Sequence, residues 1–221
     1  MSICRIIGDV SMSRIASTGF LEKKVYNEIK EMIMNGELQP GVPIIQEQIA
    51  ARIGVSRTPL RRALAELERD HLLETGPQGL FVTQFTNEFI LSMWQVRAVL
   101  EGLACRLCAS RMDEATNAYY STLLTSSYRH WQESSDPEPY RQADIAFHTG
   151  LMELSGNLIL KQKLEGAHVL TVSLSKGLLR APSETYPEHM EILAALSAGN
   201  EDEAERQMVE HLRKTIPVLG K

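Results

Sequence analysis

The chain has little of what a secreted or membrane-embedded protein uses. Its 221 residues hold only three cysteines, Cys4, Cys105 and Cys108. An odd number cannot close a complete disulfide framework and suits a reducing cytoplasm. No run approaches the roughly 18 uncharged apolar residues that a membrane-spanning helix needs. The opening MSICRIIGDVSMSR has a short apolar stretch broken by Arg5, Gly8 and Asp9, unlike a signal peptide. Positive charge is not in excess either, for the formal net charge is −5. That excludes attraction to a polyanion through a broad basic surface. The acidity is uneven: residues 1–86 carry 10 Lys/Arg and 10 Asp/Glu, whereas residues 87–221 carry 13 and 18. Contact with a polyanion must then rest on individually placed arginines in the first part, doubled by pairing two copies.

What is present is enough apolar residue, 43%, to build two modest cores. Residues 1–18 are Ser-rich without periodicity and are expected as a mobile tail. Phe20–Gly36 has amphipathic helical spacing. From Ile49 to Val82 the chain reads IAARIGVSRTPLRRALAELERDHLLETGPQGLFV. Ile49, Ala50 and Ile53 line one side of a short helix, and Gly54 ends it, because glycine accepts a positive φ. Ser56 is an N-cap candidate, and Pro59 sits in the next helix's first turn, where a missing N–H costs nothing. Leu60, Ala63, Leu64 and Leu67 form a core-facing stripe. Arg57, Arg61 and Arg62 lie off it. Two short helices, a tight turn and basic side chains at the start of the second describe a helix-turn-helix, whose second helix enters the DNA major groove. Leu72–Thr75 and Leu80–Thr83, joined by Gly76-Pro77-Gln78-Gly79, read as a two-stranded wing.

With the turn Asn35-Gly36-Glu37-Leu38-Gln39-Pro40-Gly41 after Val25-Tyr26, the run Gly54-Val55-Ser56-Arg57-Thr58-Pro59-Leu60-Arg61 and the Gly79 wing, residues 21–86 resemble the winged helix of GntR-type bacterial transcription factors. Members usually carry Glu where this chain has Arg62, which bears on sequence preference and offers a further phosphate contact.

From Asn87 the pattern is helical throughout. Helices are expected at about 87–111, 113–133, 137–154, 157–179, 184–198 and 201–215. Asp144 and His148, four apart, share a helix face. His189 starts a later helix and His211 lies on the last. One carboxylate and three imidazoles can converge inside a bundle and suit a divalent transition ion such as Zn²⁺, Ni²⁺ or Mn²⁺. The competing reading is a surface pair with a capping His189 and an exposed His211. Residues 87–216 resemble the FCD ligand-binding domain of the FadR branch of the same family. The motifs are Arg97-x-x-Leu100-Glu101, Asp144-x-x-Phe147-His148, Ser155-Gly156-Asn157, Glu188-His189 with Ile192, and Met208-x-x-His211. The resemblance implies that Asp144, His148, His189 and His211 are metal ligands. It also implies that metal and nearby polar groups hold a small organic acid. Arg97 could pair with its carboxylate, or with Glu101 on a solvated face. Asn157 could reach that pocket or cap the next helix. Cys105 and Cys108 form a CxxC inside a helix and read as buried structural thiols.

The fold expected is mainly α. An N-terminal winged helix-turn-helix with a small β wing (19–86) precedes an all-α bundle (87–216) of six helices, the shorter VanR-like form, with seven as the alternative. The function implied is a cytoplasmic, ligand-responsive repressor, acting as a homodimer on a pseudo-palindromic double-stranded operator. Arg57 and Arg61 would read bases, with Ser56, Thr58 and Arg62 beside them and the Gly79 wing on the backbone or minor groove. A metal sensor and a metal-dependent enzyme are the rival classes.

Overall fold

A computed structural model describes the backbone of residues 4–164 and 178–219, with side chains from residue 19 to 164 and from 178 to 218. The chain divides into two compact units, Met1–Phe85 and Thr86–Lys221.

The first unit opens with α1 (Cys4–Met34). The helix begins well before the Phe20 start that periodicity suggested, so residues 4–18 of the segment expected as a mobile tail have helical backbone. No proline interrupts this segment, the first being Pro40. Val25, Tyr26, Ile29, Met32 and Ile33 recur at helical spacing and are buried. Their stripe packs on α3 (Arg57–Arg69), whose Leu60, Ala63, Leu64 and Leu67 are all at most 3% exposed. Between them lies α2 (Gln46–Ile53), ended by Gly54 in the left-handed region at φ 75° with its N–H on the Ala50 carbonyl at 2.9 Å. Ser56 takes the N-cap position of α3 in extended geometry, but its side chain makes no capping hydrogen bond. The wing is β1 (Leu73–Gly76) against β2 (Gly79–Val82), antiparallel, with Leu73 opposite Val82. Its ends sit one residue from the expected ones, because Gly76 and Gly79 pair and leave a two-residue loop, Pro77-Gln78. Residues 41–44 add a further edge on β2, through Gly41 N–H to Val82 O at 2.7 Å and Ile44 N–H to Leu80 O at 2.7 Å.

The second unit contains α4 (Asn87–Ala109), α5 (Glu114–Ser134) and α6 (Glu138–Leu154). Residues 158–164 form α7 as far as it is described; α8 (Pro182–Ser197), α9 (Glu201–Arg213) and the single turn α10 (Ile216–Leu219) follow. Side chains cap the starts of three of these helices. Thr86, Asp113 and Asn200 accept from the backbone N–H three residues on, at 3.2, 2.7 and 3.2 Å. The helix expected over 157–179 lies partly on residues outside the described ones. Residues 178–180 are not helical. α4 packs along α9, while α5 packs on α6 and α8. Gly102 permits the first contact, for a Cβ there would collide with Val209. Phe147, Leu151, Ile192, Leu196, Met208 and Leu212 fill the centre at 0–1% exposure. Cys105 and Cys108 are buried and unpaired with each other, and the Cys108 thiol donates to Leu151 O at 3.1 Å. Burial pushes both thiols up, Cys108 to about 12, so neither is a thiolate at neutral pH. Among the described residues no helix is long and apolar enough to cross a membrane.

Candidate metal centre and DNA-reading helix

The first two turns of α3 present Arg57, Thr58, Arg61 and Arg62 to solvent, opposite the buried stripe. Arg57 donates to Glu47 of α2 at 2.6 Å, with both side chains 77% exposed. Such a pair is worth about 0–1 kcal/mol and yields readily to a stronger anion. Arg62 donates instead to Glu22 of α1 at 2.6 Å, which turns that guanidinium toward α1. Gly79 lies in the wing at φ 109°, a backbone state that favours glycine.

In the second unit, three helices bring Asp144 and His148 (α6), His189 (α8) and His211 (α9) together. One ligand atom from each lies within 4.8 Å of all the others. Asp144 Oδ1 is 3.8 Å from His148 Nε2 and 3.3 Å from His189 Nε2. The reading with a capping His189 and an exposed His211 does not hold. His189 is fully buried and His211 is 4% exposed, because both belong to the apolar faces of their helices.

Each Nδ1 on the far side of these rings has a partner. His148 Nδ1 meets Glu101, His211 Nδ1 lies 2.8 Å from Glu188 Oε2, and His189 Nδ1 lies 3.0 Å from the Tyr140 hydroxyl. Thr185 in turn donates to Tyr140 at 3.1 Å. His189 Nε2 has no hydrogen-bond partner among the described residues, since Asp144 is near but outside hydrogen-bonding geometry. A buried orphan nitrogen beside a carboxylate and two more imidazoles fits a site that binds a cation. Burial drives His189 well below the usual imidazole range, helped by His211 and His148. Burial also lowers His211, although Glu188 opposes it. Neutral imidazoles are the form that ligates metal. At Glu188, burial acts upward, but hydrogen bonds from His211, Arg180 and Lys214 outweigh it and hold the carboxyl well below the usual range.

Beside the cluster is a cavity of about 60 Å³, lined in part by Trp94, Arg97, Arg141, Asp144, His148 and Arg180. Arg97 does pair with Glu101, through Nε, but on a buried face and not a solvated one. It is 3% exposed, with its guanidinium 4.7 Å from the Trp94 ring centre. Asn157 does not line this cavity: its Oδ1 accepts from Leu160 N–H at 3.1 Å and caps α7. Sequence reasoning named Glu101 only as an ion-pair partner for Arg97 and Glu188 only as a motif residue, and gave no role to Tyr140, Arg180 or Thr185. A signal existed for three of these residues. Tyr140 precedes Asp144 by four residues, Glu101 follows Arg97 by four and Thr185 precedes His189 by four, which is one more step along the same helix faces.

Two family models match the chain: "Bacterial regulatory proteins, gntR family" over residues 21–82 and "FCD domain" over residues 92–214. Among curated relatives, the chain is 29% identical over 191 residues to an uncharacterized HTH-type transcriptional regulator, YdhC, of Bacillus subtilis, covering 84% of this chain and 85% of that protein. It is 26% identical over 208 residues to the transcriptional regulator McbR of Escherichia coli, covering 90% and 92%. It is 27% identical over 216 residues to a protein of Paenarthrobacter nicotinovorans named "Probable D-xylose utilization operon transcriptional repressor", covering 96% and 94%. The solved structure of E. coli McbR/YncC superposes with a TM-score of 0.67 at 24% identity, over 90% of this chain and 97% of that one. A GntR regulator from Rhodococcus gives 0.64 at 23%, over 90% and 97%. These likenesses span both units. The chain therefore belongs to the GntR family of bacterial transcription regulators, with an FCD domain following its winged helix-turn-helix.

Proposed function

We propose that this regulator is a ligand-responsive repressor that binds a two-fold operator as a homodimer and is controlled by a small organic acid held beside a resident divalent transition ion. The observation that carries the reading is the convergence of Asp144, His148, His189 and His211, with an orphan Nε2 among them and Arg97 on the adjoining cavity wall. Those four residues would hold Zn²⁺, Ni²⁺ or Mn²⁺, and the ion would supply a Lewis-acidic anchor for a carboxylate. Arg97 adds a buried cation whose fork matches a carboxylate, stacked on Trp94 and oriented by Glu101. Hydrophobic walls such as Ile145 and Leu179 favour a compact acid.

At the other unit, Arg57 and Arg61 read base edges and Thr58 meets the backbone, while the Gly79 wing follows the duplex. The first 86 residues are electrically neutral, so one head has little long-range attraction for DNA, and pairing two heads raises affinity through effective concentration. The repressor name of the Paenarthrobacter relative supports repression. By linkage, effector and operator alter each other's affinity by one common factor.

The test is operator binding by fluorescence anisotropy, titrated with a panel of small mono-, di- and hydroxy-carboxylates. Wild type should shift its operator affinity with at least one acid. His148→Ala should bind operator equally well and respond to none. A wild type indifferent to the whole panel, or a His148→Ala protein that responds as wild type does, would count against the reading.

A further inference from the structure

Behind the four candidate ligands stand two arrangements of the same form. In one, Arg97 Nε donates to Glu101 Oε1, and Glu101 Oε2 faces His148 Nδ1. In the other, Arg180 donates to both oxygens of Glu188 at 2.8 Å, and Glu188 Oε2 lies 2.8 Å from His211 Nδ1. Both arginines line the cavity beside the cluster. The third histidine differs, since His189 Nδ1 is held by a neutral phenol, Tyr140.

From this geometry we infer that Glu101 and Glu188 are positioning residues of the centre, each fixing one histidine toward the ion while tying it to a cavity arginine. The inference rests on the metal reading above. A carboxylate that accepts from Nδ1–H fixes the tautomer with its lone pair on Nε2, which in His148 lies 3.8 Å from Asp144 Oδ1. Its charge also makes that nitrogen a stronger donor to a cation. Glu101 is 2% exposed, and a buried ion pair is poor value for stability alone, because desolvation cancels most of the attraction. The Arg180–Glu188 pair is part-buried, yet it repeats the same arrangement behind a second candidate ligand, and that repetition is better accounted for by the site the two carboxylates serve. The arrangement also joins the proposed acid-binding arginines to the histidines, so a carboxylate that draws on Arg97 or Arg180 changes the field at Glu101 or Glu188. The third histidine provides an internal comparison, because its partner carries no charge.

The experiment measures Zn²⁺ affinity of the full chain by chelator competition, together with the rise in melting temperature that Zn²⁺ causes. Glu101→Gln and Glu188→Gln should each weaken Zn²⁺ by about 10- to 100-fold, the usual effect of losing such a partner. Tyr140→Phe should weaken it less than either. Because Glu101→Gln strips Arg97 of its countercharge and endangers folding, the double variant Arg97→Gln/Glu101→Gln, which removes both charges, serves beside it. Glu188→Gln leaves Arg180 paired with Glu184, which lies at 3.1 Å. A purely structural role would lower the stability of the metal-free variants and leave the Zn²⁺ affinity of the folded protein unchanged, and that result overturns the inference. If wild type takes up Zn²⁺ and the variants match it, the inference falls while the metal reading stands. If wild type takes up neither Zn²⁺ nor Ni²⁺ nor Mn²⁺ in the same assay, both fall.

Discussion

Replacing His189 by leucine should make the metal-free protein as stable as wild type or more so, and at the same time remove its response to metal. The site is fully buried, and its Nε2 lacks a hydrogen-bond partner among the described residues. An orphaned buried nitrogen costs about 1–3 kcal/mol. Leucine removes that cost but also the bond to Tyr140, worth about 0.5–1.5 kcal/mol. Tyr140 keeps its contact with Thr185, so no new orphan is made there. The balance favours leucine by roughly 1 kcal/mol in chelator, a rise of about 2–4 °C for a chain of this length. With Zn²⁺ at a hundred times its dissociation constant, wild type gains about 2.7 kcal/mol by mass action, while the variant, short of one ligand, gains much less. The order of the two melting temperatures should therefore invert between chelator and Zn²⁺. Scanning calorimetry on both proteins in both buffers reads this directly. A His189→Leu protein that loses more than about 3 kcal/mol in chelator would show that the nitrogen is satisfied within the fold. An equal Zn²⁺ gain in both proteins would show that His189 is not a ligand.

The remaining predictions concern the DNA-reading helix, the caps and the assembly. Arg57→Ala and Arg61→Ala should each cost about 1–3 kcal/mol of operator affinity and relax preference at one base pair per half-site, as a gel-shift series on mutated operators would reveal; unchanged binding by both removes them from the interface. Arg62→Ala, whose guanidinium is turned to Glu22, should cost less than either in the same series, and an equal loss would make it a direct reader. Asn157→Ala should lower thermal stability by about 1 kcal/mol through loss of its cap while leaving the response to acids intact; a lost response would place it in the pocket. Analytical ultracentrifugation at micromolar concentration should find a dimer, and a monomer with full operator affinity would contradict the two-headed reading.

Much of this was legible because single residues carry unambiguous physical signals. Gly54 marked the helix break through its left-handed backbone, and Leu60, Ala63, Leu64 and Leu67 marked the buried side of α3 by their spacing. The i,i+4 pair Asp144/His148 placed two candidate ligands on one face, and the cluster with His189 and His211 followed from the family resemblance. The less legible parts depend on tertiary context. The backbone between Cys4 and Thr18 is helical without an amphipathic stripe, and residues 41–44 join the wing through backbone hydrogen bonds that no side-chain pattern announces. Arg97 has the same i,i+4 partner whether its face is wet or dry, so the sequence could not separate a solvated ion pair from one buried beside a cavity. Arg180 and Glu188 are eight residues apart across a helix start, a pairing that periodicity does not predict.

The most direct test of the central claim is elemental analysis of the freshly purified protein, followed by titration with Zn²⁺, Ni²⁺ and Mn²⁺. The account predicts close to one transition-metal ion per chain, or uptake to that level, and its loss in His148→Ala. A content well under one ion per chain, with no uptake of any of the three, contradicts it.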